Sequence, residues 1–197
     1  MRRELRRMID YFAALQQPRR AWLDPEELKQ KYQELTLTAH PDRQRSPEPA
    51  LDFAAVNEAY RILSDPKSRL QHLLSLEGHD PSAKQSIPEE LLQTFGKIGT
   101  FVQEIDRSLE KLRSADSALA KSLLRSDILN AQQRAGELSD QLQKLYTNAL
   151  DELKRLDALW DDRPGELIED FAKLYHRFAY LGRWMDQVRE RQFQLSI

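Results

Sequence analysis

The chain of 197 residues contains no cysteine. Disulfides, thiol catalysis and cysteine-ligated zinc or iron–sulfur centres are therefore excluded within it. Glycine is scarce, with six in all. Neither a glycine-rich phosphate loop nor an HExxH or GxSxG pattern occurs. No window approaches 18 uninterrupted apolar residues, so no membrane span is expected. The opening "MRRELRR" is basic, but Asp10 and the short apolar run after it leave no signal-peptide core. The expected location is cytoplasmic. A surplus of one charge is missing as well. Residues 1–80 hold 13 basic and 13 acidic groups, and the remainder holds 17 and 19. A nucleic-acid-binding domain would carry a basic excess, so nucleic acid is not an expected partner.

What is present is charge and apolar periodicity. Charged residues make up 31% and hydrophobic ones 40%, a balance that favours a helix-rich soluble protein. The first part reads as short helices. "IDYFAALQQP" gives a turn or two closed by Pro18. "LDPEELKQKYQELTLTAH" starts with Asp24 as cap and Pro25 at the first helical position, with Leu28, Tyr32, Leu35 and Ala39 on one face. Pro41 ends it, and "RQRSPEPA" is a loop. A third helix presents Phe53, Val56, Tyr60 and Leu63 on one side. Asp65-Pro66 opens a fourth, which Gly78 terminates.

The second part changes period. Leu91, Phe95, Ile98, Val102, Ile105, Leu109 and Leu112 alternate in steps of four and three. A second series runs from Leu124 to Trp160, and a third through Leu167, Phe171, Leu174, Phe178, Leu181, Met185 and Val188. Such spacing predicts three long helices in an antiparallel bundle. "DDRPGE" at 161–166 reads as the last reversal, with Pro164 and Gly165 breaking the helix. No segment alternates with period two, so the expected class is all-α, with a helical domain over 1–77, a linker at 78–88 and the bundle over 89–197.

The stretch "LTAHPDRQR" places His40, Pro41 and Asp42 between two helices. A catalytic His–Asp pair needs a nucleophile and a pocket, and neither is legible nearby. A small helical hydrolase is the enzyme reading this would require. A metal site needs three or four ligands, whereas His72, His79 and His176 are scattered and read as surface or helix-end residues. No metal or other cofactor is expected. The third reading is a recognition knuckle. Proline fixes its own φ and pushes the preceding residue out of the helical region, which stiffens the loop and lowers the entropy cost of docking.

The context of the motif is more specific than the motif. "YQELTLTAHPDR" before the loop and "FAAVNEAYRILSDPKSR" after it resemble a J-domain (DnaJ-like) in order, spacing and helix signals over residues 9–77. The resemblance implies that His40, Pro41 and Asp42 dock on a DnaK-type chaperone ATPase and stimulate its ATP hydrolysis, this chain supplying no catalytic group. J-domains usually carry several basic residues along the second helix and a tyrosine before the loop. Here Gln33, Glu34 and Thr38 occupy typically basic positions and Ala39 replaces the aromatic. Lys29, Lys31 and Arg43 remain as implied contacts, and the thinner charge implies a weaker or narrower interaction.

"IDYFAAL", "YQEL" and above all "SRLQHLLSLEGHDP" are similar to HscB-type iron–sulfur co-chaperones, and "LYHRFAYLGRWMDQVRE" looks like that family's last helix. This implies that the bundle binds an IscU-type scaffold and brings it to an HscA- or DnaK-type chaperone. The alternative is a bundle that binds a different protein client. The family's docking patch carries over onto Leu91, Leu92, Phe95 and Tyr180, while its acidic positions are replaced by Gly96 and Gly99. Those two glycines fit close approach by a partner or interhelical packing. By spacing alone, Leu91 and Phe95 fall on the core seam, Leu92 and Tyr180 fall off it, and Phe101 leaves the seam as a possible extension of the patch.

Overall fold

The Asp10 carboxylate starts the first helix by accepting the N–H groups of Phe12 and Ala13, at 3.0 and 3.2 Å. That helix, α1 (Tyr11–Ala14), lasts one turn. Gln16 then enters the left-handed region at φ 51°, and the N–H groups of Gln16 and Gln17 return to the carbonyls of Ala13 and Phe12. The stop thus comes before Pro18 is reached. Asp24 starts α2 (Pro25–Thr38) in the same way, accepting from Glu26 and Glu27 at 2.9 and 3.1 Å. In the computed structural model, which describes residues 9–38, 53–81 and 87–196, there follow α3 (Phe53–Ser64) and α4 (Pro66–Leu76). Asp65 caps α4 through the Ser68 N–H at 2.9 Å. Gly78, at φ 76°, closes it, with the His79 N–H bonded to the Leu74 carbonyl at 2.8 Å.

A 3-10 turn over Glu89–Leu91 leads into α5 (Leu92–Ser114), and α6 (Ala118–Asp157) and α7 (Pro164–Leu195) complete the order. Among the described residues there is no strand, so the class is all-α. One expectation needs correcting. Pro164 and Gly165 do not break a helix but open α7, because proline forfeits no hydrogen bond at a first helical position. The reversal lies at 158–163.

Packing divides the chain into two units, Met1–Lys84 with Leu150–Tyr175, and Gln85–Ala149 with His176–Ile197. Residues 150–175 thereby group with the N-terminal helices rather than with the remainder of 89–197. The reason is a set of buried polar contacts within the first unit. Asp157 is buried and accepts the Trp22 N–H at 3.0 Å, and Arg20 Nε lies 3.5 Å from its other oxygen. Burial pushes the Asp157 pKa up, against the Trp22 N–H and the Arg20 charge. The Lys154 ammonium sits 4.3 Å over the Trp22 ring. On the other side, Arg69 is only 3% exposed and donates to the carbonyls of Ala21 (2.7 Å) and Leu63. His72 is also buried, within α4, which corrects its reading as a surface or helix-end residue. Its Nε2 accepts the Tyr11 N–H at 3.0 Å, and its ring stacks on Phe12 at 5.5 Å.

The second unit is a three-helix bundle. Lys97 reaches Gln141, and Glu104 pairs with Arg134. Contact positions that rise along α5 therefore fall along α6, which makes the two antiparallel. Glu90 pairs with Arg177 and Asp106 with Arg191, so α7 runs parallel to α5. The core draws Leu91, Ile98, Phe101 and Ile105 from the α5 side, Ala131, Ala135, Leu138 and Leu142 from α6, and Leu181, Trp184, Val188 and Leu195 from α7. The stripe of α5 is rotated from its expected position. Thr94 and Phe101 are buried, whereas Phe95 is 50% exposed.

Candidate functional site

Two surfaces follow from this framework. The first surrounds the histidine-containing loop. His40, Pro41, Asp42 and Arg43 lie outside the described residues; the helices on either side are described. Leu28 and Leu35 of α2 are buried, as are Val56, Ala59 and Leu63 of α3. The Tyr32 ring stacks on Tyr60 at 4.2 Å, and its hydroxyl donates to Asn57 Oδ1 at 2.6 Å. This aromatic and hydrogen-bonded pair ties α2 to α3. Lys29 is exposed on α2, and Lys31 is partly buried with its ammonium 3.6 Å from Glu34. Only Lys29 of the two lacks a carboxylate neighbour in the described structure. Phe53, expected on the buried side of α3, is 44% exposed, because it stands at the first residue of the helix. Leu37 of α2 is exposed too. Phe53 fits the apolar stripe of α3, so only packing shows that it is left uncovered, whereas Leu37 lies opposite the stripe of Leu28, Tyr32, Leu35 and Ala39 and its exposure follows from spacing.

The second surface is at the start of α5. Leu92 and Phe95 are each 50% exposed, one turn apart and so on one side of the helix. The Phe95 ring lies 6.3 Å from Trp184 of α7, and Trp184 lies 5.8 Å from Tyr180. Trp184 is 3% exposed and forms the floor, while Tyr180 is half-buried beside it. Phe95 and Tyr180 are thus brought together through a tryptophan that the seam pattern did not single out, with Leu92 one turn before Phe95 on α5. Trp184 follows Leu181 by three residues, but the alternation calls for a step of four at that point, and Met185 fills it.

Two other residues leave the patch. Leu91 is 1% exposed and belongs to the bundle core, where it can offer no surface to a partner. Phe101 is 3% exposed, so it does not extend the patch. Gly96 and Gly99 face open space, and a Cβ built on either meets nothing within 4 Å. Interhelical packing therefore does not explain them. What the arrangement offers chemically is an apolar, aromatic-backed contact face with no reactive group in it. Among the described residues no cluster of three His, Asp or Glu side chains could hold a metal ion, and no helix is long and apolar enough to cross a membrane.

Comparison with known proteins finds relatives of both parts of the chain. The DnaJ domain family matches residues 10–72. Co-chaperone protein HscB of Proteus mirabilis (strain HI4320) is 29% identical over 193 residues, covering 94% of this chain and 98% of that protein. Chaperone protein DnaJ 2 of Thermus thermophilus is 47% identical over 60 residues, 30% of this chain and 21% of that one. Among solved structures, chaperone HscB from Vibrio cholerae shares the fold with a TM-score of 0.50 and 18% identity, over 95% of this chain and 99% of that one.

Proposed function

Since the chain belongs to the J-domain co-chaperones of the HscB type, we propose that it activates the ATPase of a DnaK- or HscA-type chaperone and delivers to it an IscU-type iron–sulfur scaffold. The supporting observation is the similarity to an HscB co-chaperone across 94% of the chain, which includes the J-domain and the bundle together. His40, Pro41 and Asp42 form the chaperone-docking element, with Lys29, Lys31 and Arg43 as flanking charges. The chain is not itself an enzyme in this reading and acts in the cytoplasm. It shifts the partner's conformational equilibrium by binding one state better than the other, which is the only way a non-catalytic partner can change a turnover rate.

The scaffold docks on Leu92, Phe95 and Tyr180. Exposed aromatic and aliphatic side chains set over a buried aromatic make the kind of rigid anchor that carries most of the energy at a protein interface. The cluster stays with the scaffold, consistent with a chain that has no cysteine. Two measurements test the two halves separately. Steady-state ATP turnover by the host's chaperone should rise on adding the protein, and His40→Gln should abolish the rise while circular dichroism stays unchanged. Titration of the scaffold should give binding that Leu92→Ser and Phe95→Ser each weaken at least tenfold. Normal stimulation by His40→Gln would refute the first half, and unchanged scaffold binding by both patch variants would refute the second.

A further inference from the structure

The short helix α1 is fastened through side chains that titrate. The first N–H groups of a helix have no carbonyl of their own to reach and need outside acceptors. In α1 the Asp10 carboxylate takes those of Phe12 and Ala13, and that of Tyr11 goes to Nε2 of His72 on α4, 61 residues away. A ring nitrogen that accepts an N–H must offer a lone pair, so this bond exists only with the neutral imidazole. His72 is buried and lies against the rings of Tyr11 and Phe12, at 4.7 and 5.5 Å. Phe12 and Leu15, the apolar residues that α1 turns inward, are fully buried.

The charged groups around the ring do not replace this bond. Asp10 is already occupied by the two N–H groups and by Arg19, 2.7 Å away. Burial raises the Asp10 pKa, but Arg19 and the N–H groups of Ala13 and Phe12 outweigh it and hold the pKa below its ordinary 3.8. Asp10 therefore stays ionised while an imidazole titrates. On α3, Arg61 pairs with Glu58 and interacts with Tyr11; on α4 itself, Arg69 is held by the carbonyls of Ala21 and Leu63. Both are cations and accept nothing from the Tyr11 N–H.

We propose that α1 is a latch released by a proton. Protonation of His72 Nε2 sets two N–H donors against each other, and α1 lets go of α4 while α2, α3 and α4 keep the contacts among themselves. Burial disfavours the charged ring in the closed state, so the open state takes up the proton and is favoured by acid. The Tyr32–Tyr60 stack, the Tyr32–Asn57 hydrogen bond and the Arg69 bond to Leu63 do not pass through α1 and hold the rest. The latch is independent of the chaperone reading, and its test needs the full-length chain alone.

Native-state hydrogen exchange, corrected for the intrinsic pH dependence of amide exchange, measures the opening constant at each N–H. For Tyr11, Leu15 and Gln17 it should be level above pH 6.5 and rise by up to about tenfold per pH unit below it. Amides within α3 and α4 should rise far less. His72→Gln keeps an acceptor that does not titrate, so opening should stay near the parent's neutral value at every pH. His72→Leu keeps none, so opening should be about tenfold greater and equally flat. A parent opening constant that ignores pH overturns the latch, as does a His72→Gln variant with the parent's pH dependence. An equal rise across α1, α3 and α4 also overturns it, because the whole unit would then loosen together.

Discussion

The two packing units are held by different means. In the first, charged and polar groups are buried at the places where distant segments meet: Arg69 against the carbonyls of Ala21 and Leu63, His72 against the Tyr11 N–H, and Asp157 against the Trp22 N–H. In the second, apolar stripes of three helices share a core, and the charges lie outside it in pairs such as Glu104 with Arg134 and Asp106 with Arg191. A buried polar group is tolerable only with its partner in place, so the first unit depends on a few exact contacts. The second depends on summed area, to which each residue adds a share.

The contrast is sharpest where a core residue is truncated. Phe178 is buried in the second unit, edge-on to Tyr146 at 5.2 Å. Phe178→Ala should cost about 4 kcal/mol in urea unfolding, through lost transfer energy and the cavity left behind. In the first unit Arg69→Met should cost about 3 kcal/mol, because it strands two buried carbonyls while keeping most of the side-chain volume. Arg69→Lys should recover little, since one ammonium cannot reproduce the guanidinium fork. A loss under 1 kcal/mol for Arg69→Met would erase the distinction between the units.

Smaller effects run in the opposite direction. Gly96→Ala and Gly99→Ala should each stabilise the second unit by about 1 kcal/mol, because both sites are helical and a methyl group meets nothing there. Destabilisation by either would mean that the glycines serve the fold after all. The smallest expected effect is one of pH on the first unit. Burial pushes the His72 pKa below its ordinary 6.5, with Asp10 opposing and Arg19 reinforcing. The folded state then binds fewer protons at this ring than the unfolded chain does. Its contribution to stability is complete above pH 6.5 and declines as the pH falls from there toward the native value. Stability curves of the parent protein and His72→Gln should diverge in that window. Parallel curves would show that the ring takes no part.

How much of this was legible in the sequence divides along the same line. The stripe of α7 could be read directly, and Leu167, Phe171, Leu174, Phe178, Leu181 and Val188 are all buried. The stripe of α5 was displaced because spacing arguments choose the most apolar candidate. Phe95 outranked Thr94, yet Thr94 is inside and Phe95 half out. The polar contacts of the first unit were not legible at all. Arg69 bonds a residue 48 positions away, His72 one 61 away and Asp157 one 135 away. No local pattern separates such a residue from a solvated one, and only tertiary placement reveals its partner. For the candidate site, Leu92 was identified as exposed by its offset from the seam, while Trp184 beneath Phe95 was not.

That tryptophan gives the molecule its own optical reporter. The chain has three tryptophans, of which Trp22 and Trp160 belong to the first unit and Trp184 to the second. A Trp22→Phe, Trp160→Phe background would leave a single indole whose emission comes from directly beneath Phe95 and beside Tyr180. Contact of another protein with the rings packed on that indole would change its emission, so occupancy of the patch can be followed without attaching a dye.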